Sequence, residues 1–343
     1  MIDYIDAVIP MKNNGLIRKG YKTITKEDGS SSESNYPLHI SGRNGSSIKI
    51  QSVDNERVRI IGNLTMFLQG QNVYGTDNLL GLCYIAFADI AEKLEIKPTK
   101  RNHRQWRSGE FEVNTIDVTH NFVLPSQSTV CEWMKQAALS LGSGKQTVEI
   151  YRASNSSHIE TIYVGKTSRF ISVKFYNKYR QMIQGAKKQR KIKAGGSVMQ
   201  DLVDSSKGLL RCEIRFHKGY LKKSSITTAK CLTPMILQEH YEGKLKRIHL
   251  GTSKILPVQD LDGLSNLHKL AYGLWIKGGD LKREIPPSSF DRICKKLLSL
   301  GVNIRQPFVE RVQGKSLRYY LRWCNIAKIP DFLVNTSWYF DPH

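Results

Sequence analysis

Ile171, Val173 and Phe175 alternate with Ser172, Lys174 and Tyr176. A period of two predicts a strand with one buried and one polar face. The same pattern recurs at 209–217, where Cys212, Ile214 and Phe216 alternate with Arg211, Glu213, Arg215 and His217. It recurs at 113–122, with Ile116 and Val118 on one side and Asp117 and Thr119 on the other. Shorter strands are expected at 2–9, stopped by Pro10, and at 37–40, 47–52, 57–61, 147–152 and 159–164. Residues 26–35, rich in Ser, Gly and Glu, read as a loop, and the paired amides and glycines of 63–76 as a shaped loop.

Helical periodicity is clearest at 77–95, where Leu79, Cys83, Ala86, Phe87, Ile90 and Leu94 form one stripe ahead of Pro98. A second helix spans 126–141, with Val130, Trp133, Met134, Ala137, Ala138 and Leu141 on its stripe, a capping box from Thr129 to Glu132, and Gly142 at its end. Strands with one apolar face and helices with one apolar stripe assemble most economically as an α+β fold, a largely antiparallel sheet with helices on one face. After residue 251 the pattern turns helical, at 264–276 and again from Pro286, where Phe290, Ile293, Cys294, Leu297 and Leu298 form the stripe. The expected division is a sheet domain over 1–251 and a small helical domain over 252–343, whose helix pair could form a helix-turn-helix.

The chain has 343 residues and 52 Lys and Arg against 30 acids, a net charge of +22. That excess favours a polyanionic partner, with nucleic acid ahead of an anionic membrane surface. No apolar run approaches the roughly 20 residues of a membrane span, and the first residues lack a signal-peptide pattern. The six cysteines are scattered without a C-x-x-C pair, as in a reduced intracellular protein without a zinc site. Basic clusters suited to phosphate contact occur at Arg101, Arg104 and Arg107, around Trp106, and at Lys187, Lys188, Arg190, Lys191 and Lys193.

The polar sheet face gathers Asp117, Tyr176, Lys178, Arg211, Glu213 and Arg215, the residue types phosphoryl transfer uses. Tyr176 lies beside Lys174 and, if the strand runs on, Lys178. Such ammonium groups are expected to lower a phenol's pKa from about 10, as a nucleophile needs. The plain alternative is a strand-end tyrosine with its ring on the core and its hydroxyl in water. Asp117 and Glu213 are the candidate holders of a Mg²⁺ or Mn²⁺ ion, with Glu149, Glu160, His120 and His217 in reserve. A salt bridge to Arg211 or Arg215 is the competing role for Glu213. It is a weaker competitor at Asp117, which has no cation within four residues on either side. Lys174, Arg211 and Arg215 are the sheet's candidate DNA contacts.

These stretches resemble the filamentous-phage replication initiators of the gene II/X family. The resemblance rests on Met1-Ile2-Asp3 running to Pro10, on Leu68-Gln69-Gly70-Gln71-Asn72-Val73-Tyr74-Gly75-Thr76, and on Ile116-Asp117-Val118-Thr119. It continues in Val173-Lys174-Phe175-Tyr176-Asn177-Lys178, in Gly208 to Arg215, and in residues 286–304. It implies a rolling-circle endonuclease fold and an enzyme that nicks the plus strand at the phage origin through Tyr176. The enzyme would form a 5′-phosphotyrosine and later rejoin the displaced circle, with Lys178 steadying charge. Origin DNA, host helicase and host polymerase are the implied partners, and the host cytoplasm the implied location. Tyr163-Val164-Gly165 followed by Tyr176-Asn177-Lys178 is also similar to some rolling-circle plasmid initiators. The wider group carries a His-hydrophobe-His motif, whereas this chain has no His-x-His. Tyr179 stays open as the nucleophile or a second one, with Tyr163 as an outsider. A non-catalytic DNA-binding regulator and a metal-independent tyrosine recombinase are the competing readings.

Overall fold

The computed structural model describes residues 1–13, 17–25, 27–142, 147–153, 158–184 and 196–340. The basic run Lys187 to Lys193 therefore lies outside the described residues.

Nine strands form one antiparallel sheet: β1 (Ile2–Pro10), β4 (Leu38–Ser41), β5 (Ser47–Ser52), β6 (Arg57–Asn63), β7 (Glu112–Val123), β8 (Val148–Arg152), β9 (Ile159–Val164), β10 (Ile171–Asn177) and β11 (Leu209–His217). Their spatial order is β4-β5-β6-β1-β7-β11-β10-β9-β8. β2 (Gly20–Thr25) and β3 (Ser31–Tyr36) pair as a separate ribbon, so residues 31–35 of the expected loop are strand. Its polar sequence offers no apolar alternation to mark strands.

Helices α2 (Leu79–Lys93), α3 (Lys100–Ser108), α4 (Gln127–Gly142) and α8 (Pro234–Arg247) pack on the apolar face of the sheet. The predicted stripe of α4 is buried along its whole length. Its cap, however, is Ser126, whose hydroxyl accepts the Thr129 N–H at 3.1 Å; Thr129 itself sits one turn inside the helix. Trp133 stands 5.3 Å from Phe175 of β10, and its indole N–H donates to the Leu317 carbonyl at 3.0 Å. Residues from 309 onward thus return to the sheet's core through Val309, Val312, Leu317 and Tyr320.

Four helices cluster at or near the sheet: α1 (Leu64–Gln69), α5 (Lys178–Ile183), α6 (Gly196–Ser205) and α7 (Lys218–Lys223). The strand β10 ends where the Asn177 side chain accepts the Arg180 N–H at 3.1 Å, which turns the chain into α5. Helices α9 (Val258–Asp262), α10 (Asn266–Ile276), α11 (Leu281–Glu284) and α12 (Pro287–Ser299) enclose a second core around Trp275, Ile293 and Leu297. The short helix α11 occupies the stretch between α10 and α12. The last α-helix, α13 (Leu317–Tyr320), belongs to the main core.

Trp133 joins the sheet, α4 and the returning C-terminal segment. Trp133→Ala is expected to cost about 3–5 kcal/mol in urea unfolding. A loss below about 1 kcal/mol would contradict this packing.

Candidate active site

Antiparallel register fixes which side chains share the polar face. Tyr176 lies opposite Arg211, and Lys174 opposite Glu213. Across the next pair, Arg215 lies opposite Asp117, Glu213 opposite Thr119 and Arg211 opposite Asn121. On the other side Tyr163 lies opposite Lys174, and Thr161 opposite Tyr176. The face therefore brings together Asp117, Tyr176, Arg211, Glu213 and Arg215, as the alternation predicted, with Lys174 beside them; Lys178, expected on the same face, begins the following helix instead.

Arg211 is fully buried at the centre. Its Nη2 donates to Asp3 Oδ2 at 2.7 Å, and its Nη1 donates to the Asn72 carbonyl. Its Nε lies 3.2 Å from Glu213 Oε1, an ion pair without hydrogen-bond alignment. The Tyr176 hydroxyl donates to that same Glu213 oxygen at 2.5 Å. Lys174 Nζ lies 3.4 Å from Glu213 Oε2 and 4.2 Å from the centre of the Tyr176 ring.

The amide-rich loop after α1 supplies the rest. Gly70 ends α1 at φ +76°, where a Cβ would stand 2.6 Å from Asn44 Nδ2. Gln71 Oε1 then accepts the Val73 N–H at 2.6 Å and the Tyr74 N–H at 3.1 Å. The loop so braced presents Asn72. Its Oδ1 accepts from Lys178 Nζ at 2.9 Å, and its Nδ2 donates to Asp3 Oδ1 at 3.2 Å. Sequence reasoning on function missed Asp3 and Asn72. The available signal was the acids Asp3 and Asp6 inside a largely apolar first strand, since a carboxylate buried there needs a cation.

Electrostatics correct the expected state of the nucleophile. Tyr176 is 3% exposed. Burial, reinforced by Glu213 and Asp3 and opposed by Arg211, holds its pKa well above 10 instead of lowering it. Glu213 is the reverse: burial works against its charge, but Arg211, Lys174 and the Tyr176 hydroxyl pull its pKa below the usual 4.5. Lys178 is buried at the start of α5, not on the strand. Burial and the charge of Arg211 push its ammonium well below 10.5.

Asp117 is not the unpaired carboxylate that its flanking sequence suggested. Arg215 donates to its two oxygens at 2.6 and 2.7 Å, because antiparallel pairing sets the two opposite each other. Burial still pushes the Asp117 carboxyl up to about 6 against that guanidinium, with Glu213 and Asp3 adding to the rise. Asp6 makes the same two-point pair with Arg59, at 2.9 and 2.6 Å. Among the described residues no three His, Cys, Asp or Glu side chains converge on a possible metal position. The oxygens of Asp117 and Glu213 are already engaged by guanidinium, ammonium and phenol groups, so as arranged this pair does not fit a divalent ion.

The reserve ligands have partners of their own. His120 packs 4.7 Å from Tyr241 and 4.8 Å from Trp323, and burial drives its pKa to about 3, so it is a neutral packing group. His217 Nε2 lies 3.4 Å from Ser172 Oγ. Glu149 pairs with Lys166 at 2.8 Å, and Glu160 accepts from Gln184. Arg101, Arg104 and Arg107 are exposed on α3. That helix is tied by Trp106 Nε1 to the Pro10 carbonyl at 2.8 Å, at the end of β1 away from Asp3. At about 3.3 Å per residue, the strand separates these arginines from the Tyr176 site by roughly 20 Å. They are a separate surface.

A fold and site of this kind define a sheet-borne tyrosine held in a buried ionic network on a strongly basic protein. Residues 1–234 match the phage family described as the N-terminal region of a replication-associated protein. The replication-associated protein of Enterobacteria phage I2-2 is 25% identical over 326 residues, covering 92% of this chain and 91% of the relative. The chain belongs to this phage replication-associated protein family, as its motifs suggested. A rolling-circle replication initiator from Geobacillus stearothermophilus is similar at 13% identity over 66% of this chain and 77% of that one. Its TM-score of 0.28 is too loose a superposition to transfer a fold or a residue's role. No helix among the described residues is long and apolar enough to cross a membrane.

The raised Tyr176 pKa has a testable sign. A phenol that stays protonated in the folded state contributes stability that is fully present below the unfolded pKa, about 10, and is lost as pH rises through the folded value. The stability difference between wild type and Tyr176→Phe should therefore shift against wild type above pH about 10, by up to about 1.4 kcal/mol per pH unit. Urea unfolding at several alkaline pH values measures it. A difference independent of pH would mean a phenol of ordinary pKa.

Proposed function

We propose that this protein starts rolling-circle replication of a phage genome by nicking the plus strand at the origin, with Tyr176 as nucleophile. The observation that carries the reading is the hydrogen bond from the Tyr176 hydroxyl to Glu213 Oε1, on the central strands of a chain of this family. Glu213 is an ionised acceptor already in contact with the proton to be removed, the geometry a general base needs. The phenol need not ionise beforehand. As its oxygen bonds to phosphorus, its proton passes to Glu213 and the phosphorus–O3′ bond breaks. The product is a 5′-phosphotyrosine and a free 3′-hydroxyl, the leaving oxygen taking a proton from water. Reversal by a new 3′-hydroxyl would rejoin the displaced circle.

Lys174 is 28% exposed and stands over the Tyr176 ring, so it is placed to meet the entering phosphate. Arg211 is too deeply buried to reach DNA and acts by holding Glu213 charged. Lys178 acts through Asn72, as a positioning group. Arg215 is half-exposed and joins Lys174 at the mouth. The arginines of α3 supply a second phosphate-binding surface for duplex flanking the nick. Mg²⁺ or Mn²⁺ dependence belongs to this reading through family resemblance; Asp117 would have to release Arg215 to bind such an ion, and no step above uses one. Host helicase and polymerase as partners, and the host cytoplasm as location, follow from the same role.

Incubation with end-labelled single-stranded origin DNA, with Mn²⁺ and with chelator, tests the proposal. A denaturing gel should show a covalent protein–DNA band for wild type and Tyr179→Phe, and none for Tyr176→Phe. Glu213→Gln should slow its formation by roughly 10²- to 10⁴-fold. A band that survives in Tyr176→Phe would reject the assignment. No band with any tyrosine intact would leave a DNA-binding regulator.

A further inference from the structure

Beyond the nicking residues, the polar face carries a second aromatic and basic array that leads from Tyr176 to the open edge of the sheet. Tyr163 of β9 and Tyr151 of β8 stand edge to face, with ring centres 5.6 Å apart. Lys174 Nζ lies 4.2 Å from the Tyr176 ring centre and 5.7 Å from that of Tyr163. Lys166 Nζ lies 5.7 Å from the Tyr163 ring centre and 5.0 Å from that of Tyr151. Rings and ammonium groups therefore alternate: Tyr176, Lys174, Tyr163, Lys166, Tyr151. Adjacent strands are about 4.8 Å apart, so the row spans roughly 10 Å from β10 to β8. Exposure rises along it, from 3% at Tyr176 to 41% at Tyr151.

A core-facing aromatic stripe is ruled out by that exposure and by its position on the face away from the packed helices. Sheet faces that alternate aromatic rings with cations match the chemistry of single-stranded nucleic acid, whose bases stack on rings while its phosphates meet ammonium groups. Lys166 is held by Glu149 at 2.8 Å, which fixes it beside both rings.

We propose that Tyr163 and Tyr151 form a base-stacking track for the single strand next to the scissile phosphate, with Lys166 and Lys174 as its phosphate contacts. The track rests on the proposed function, since it places a strand relative to Tyr176. It gives the site a preference for unpaired DNA, because a duplex cannot offer its base faces to rings on a sheet.

The test is fluorescence anisotropy of the full chain with an end-labelled oligo-dT of about 12 nucleotides, which lacks the origin sequence and so reports binding alone. It is repeated with an oligonucleotide of equal length carrying abasic sites. Tyr163→Leu and Tyr151→Leu keep apolar bulk and remove the ring; thermal melting of each checks the fold. Each should weaken oligo-dT binding by roughly 5- to 150-fold at every salt concentration, without changing the salt slope. Lys166→Ala should instead flatten the slope by about 0.7. The abasic strand should bind wild type more weakly and lose little more in Tyr163→Leu. Wild-type affinity in both folded leucine variants, or equal losses on abasic and normal strands, would overturn the track. Covalent adduct formation on origin DNA is scored on the same proteins. Adduct without ring-dependent binding rejects the track alone, and ring-dependent binding without adduct rejects the nicking reading alone.

Discussion

A guanidinium without solvent sits at the centre of this sheet, and the site is built to satisfy it. Arg211 of β11 is fully buried, and an unpaired charge there would cost several kcal/mol. Asp3 from β1, Glu213 from its own strand and the Asn72 carbonyl from the loop after α1 answer that charge together. Three separate stretches of chain are thereby locked into one register. Once Glu213 is held as a carboxylate, the phenol opposite Arg211 has an acceptor and has no reason to ionise. The same constraint that orders the fold sets the resting state of the candidate nucleophile.

Around this centre the molecule separates its tasks. The helices α2, α3, α4 and α8 cover one sheet face and leave the other for chemistry. Buried, paired groups crowd the middle of that open face, and exposure increases toward β8. The arginines of α3 lie on the helical side at the far end of β1, so DNA touching both surfaces would have to pass around the sheet. A second hydrophobic core over α9 to α12 stands apart from the first, yet the chain after it returns to pack Leu317 against Trp133.

Much of this was legible in the sequence. Period-two alternation placed β7, β10 and β11 with their polar residues on a common face, because a buried strand face tolerates few polar side chains. The stripe of α4 was equally clear. What stayed hidden depended on partners distant in sequence. Asp117 has no nearby cation along the chain, but antiparallel pairing delivers Arg215. Local charge suggested an acidic Tyr176, whereas desolvation, which flanking residues do not report, outweighs the neighbouring cations. The β2–β3 ribbon escaped notice because it has no apolar face to write a pattern. The paired amides of the Gln-Gly loop marked a shaped segment. That it carries Asn72 to Lys178 and Asp3 required the fold.

The central claim is that the phenol hydrogen-bonded to Glu213 is the group that takes the phosphate. Proteolysis of the covalent protein–DNA adduct, followed by nuclease trimming and mass spectrometry of the modified peptide, reads the attachment atom directly. The account predicts a nucleotide 5′-phosphate on Tyr176 within the peptide that spans β10 and α5. A nucleotide on Tyr179 or Tyr163, or a 3′-phosphate linkage, would contradict it.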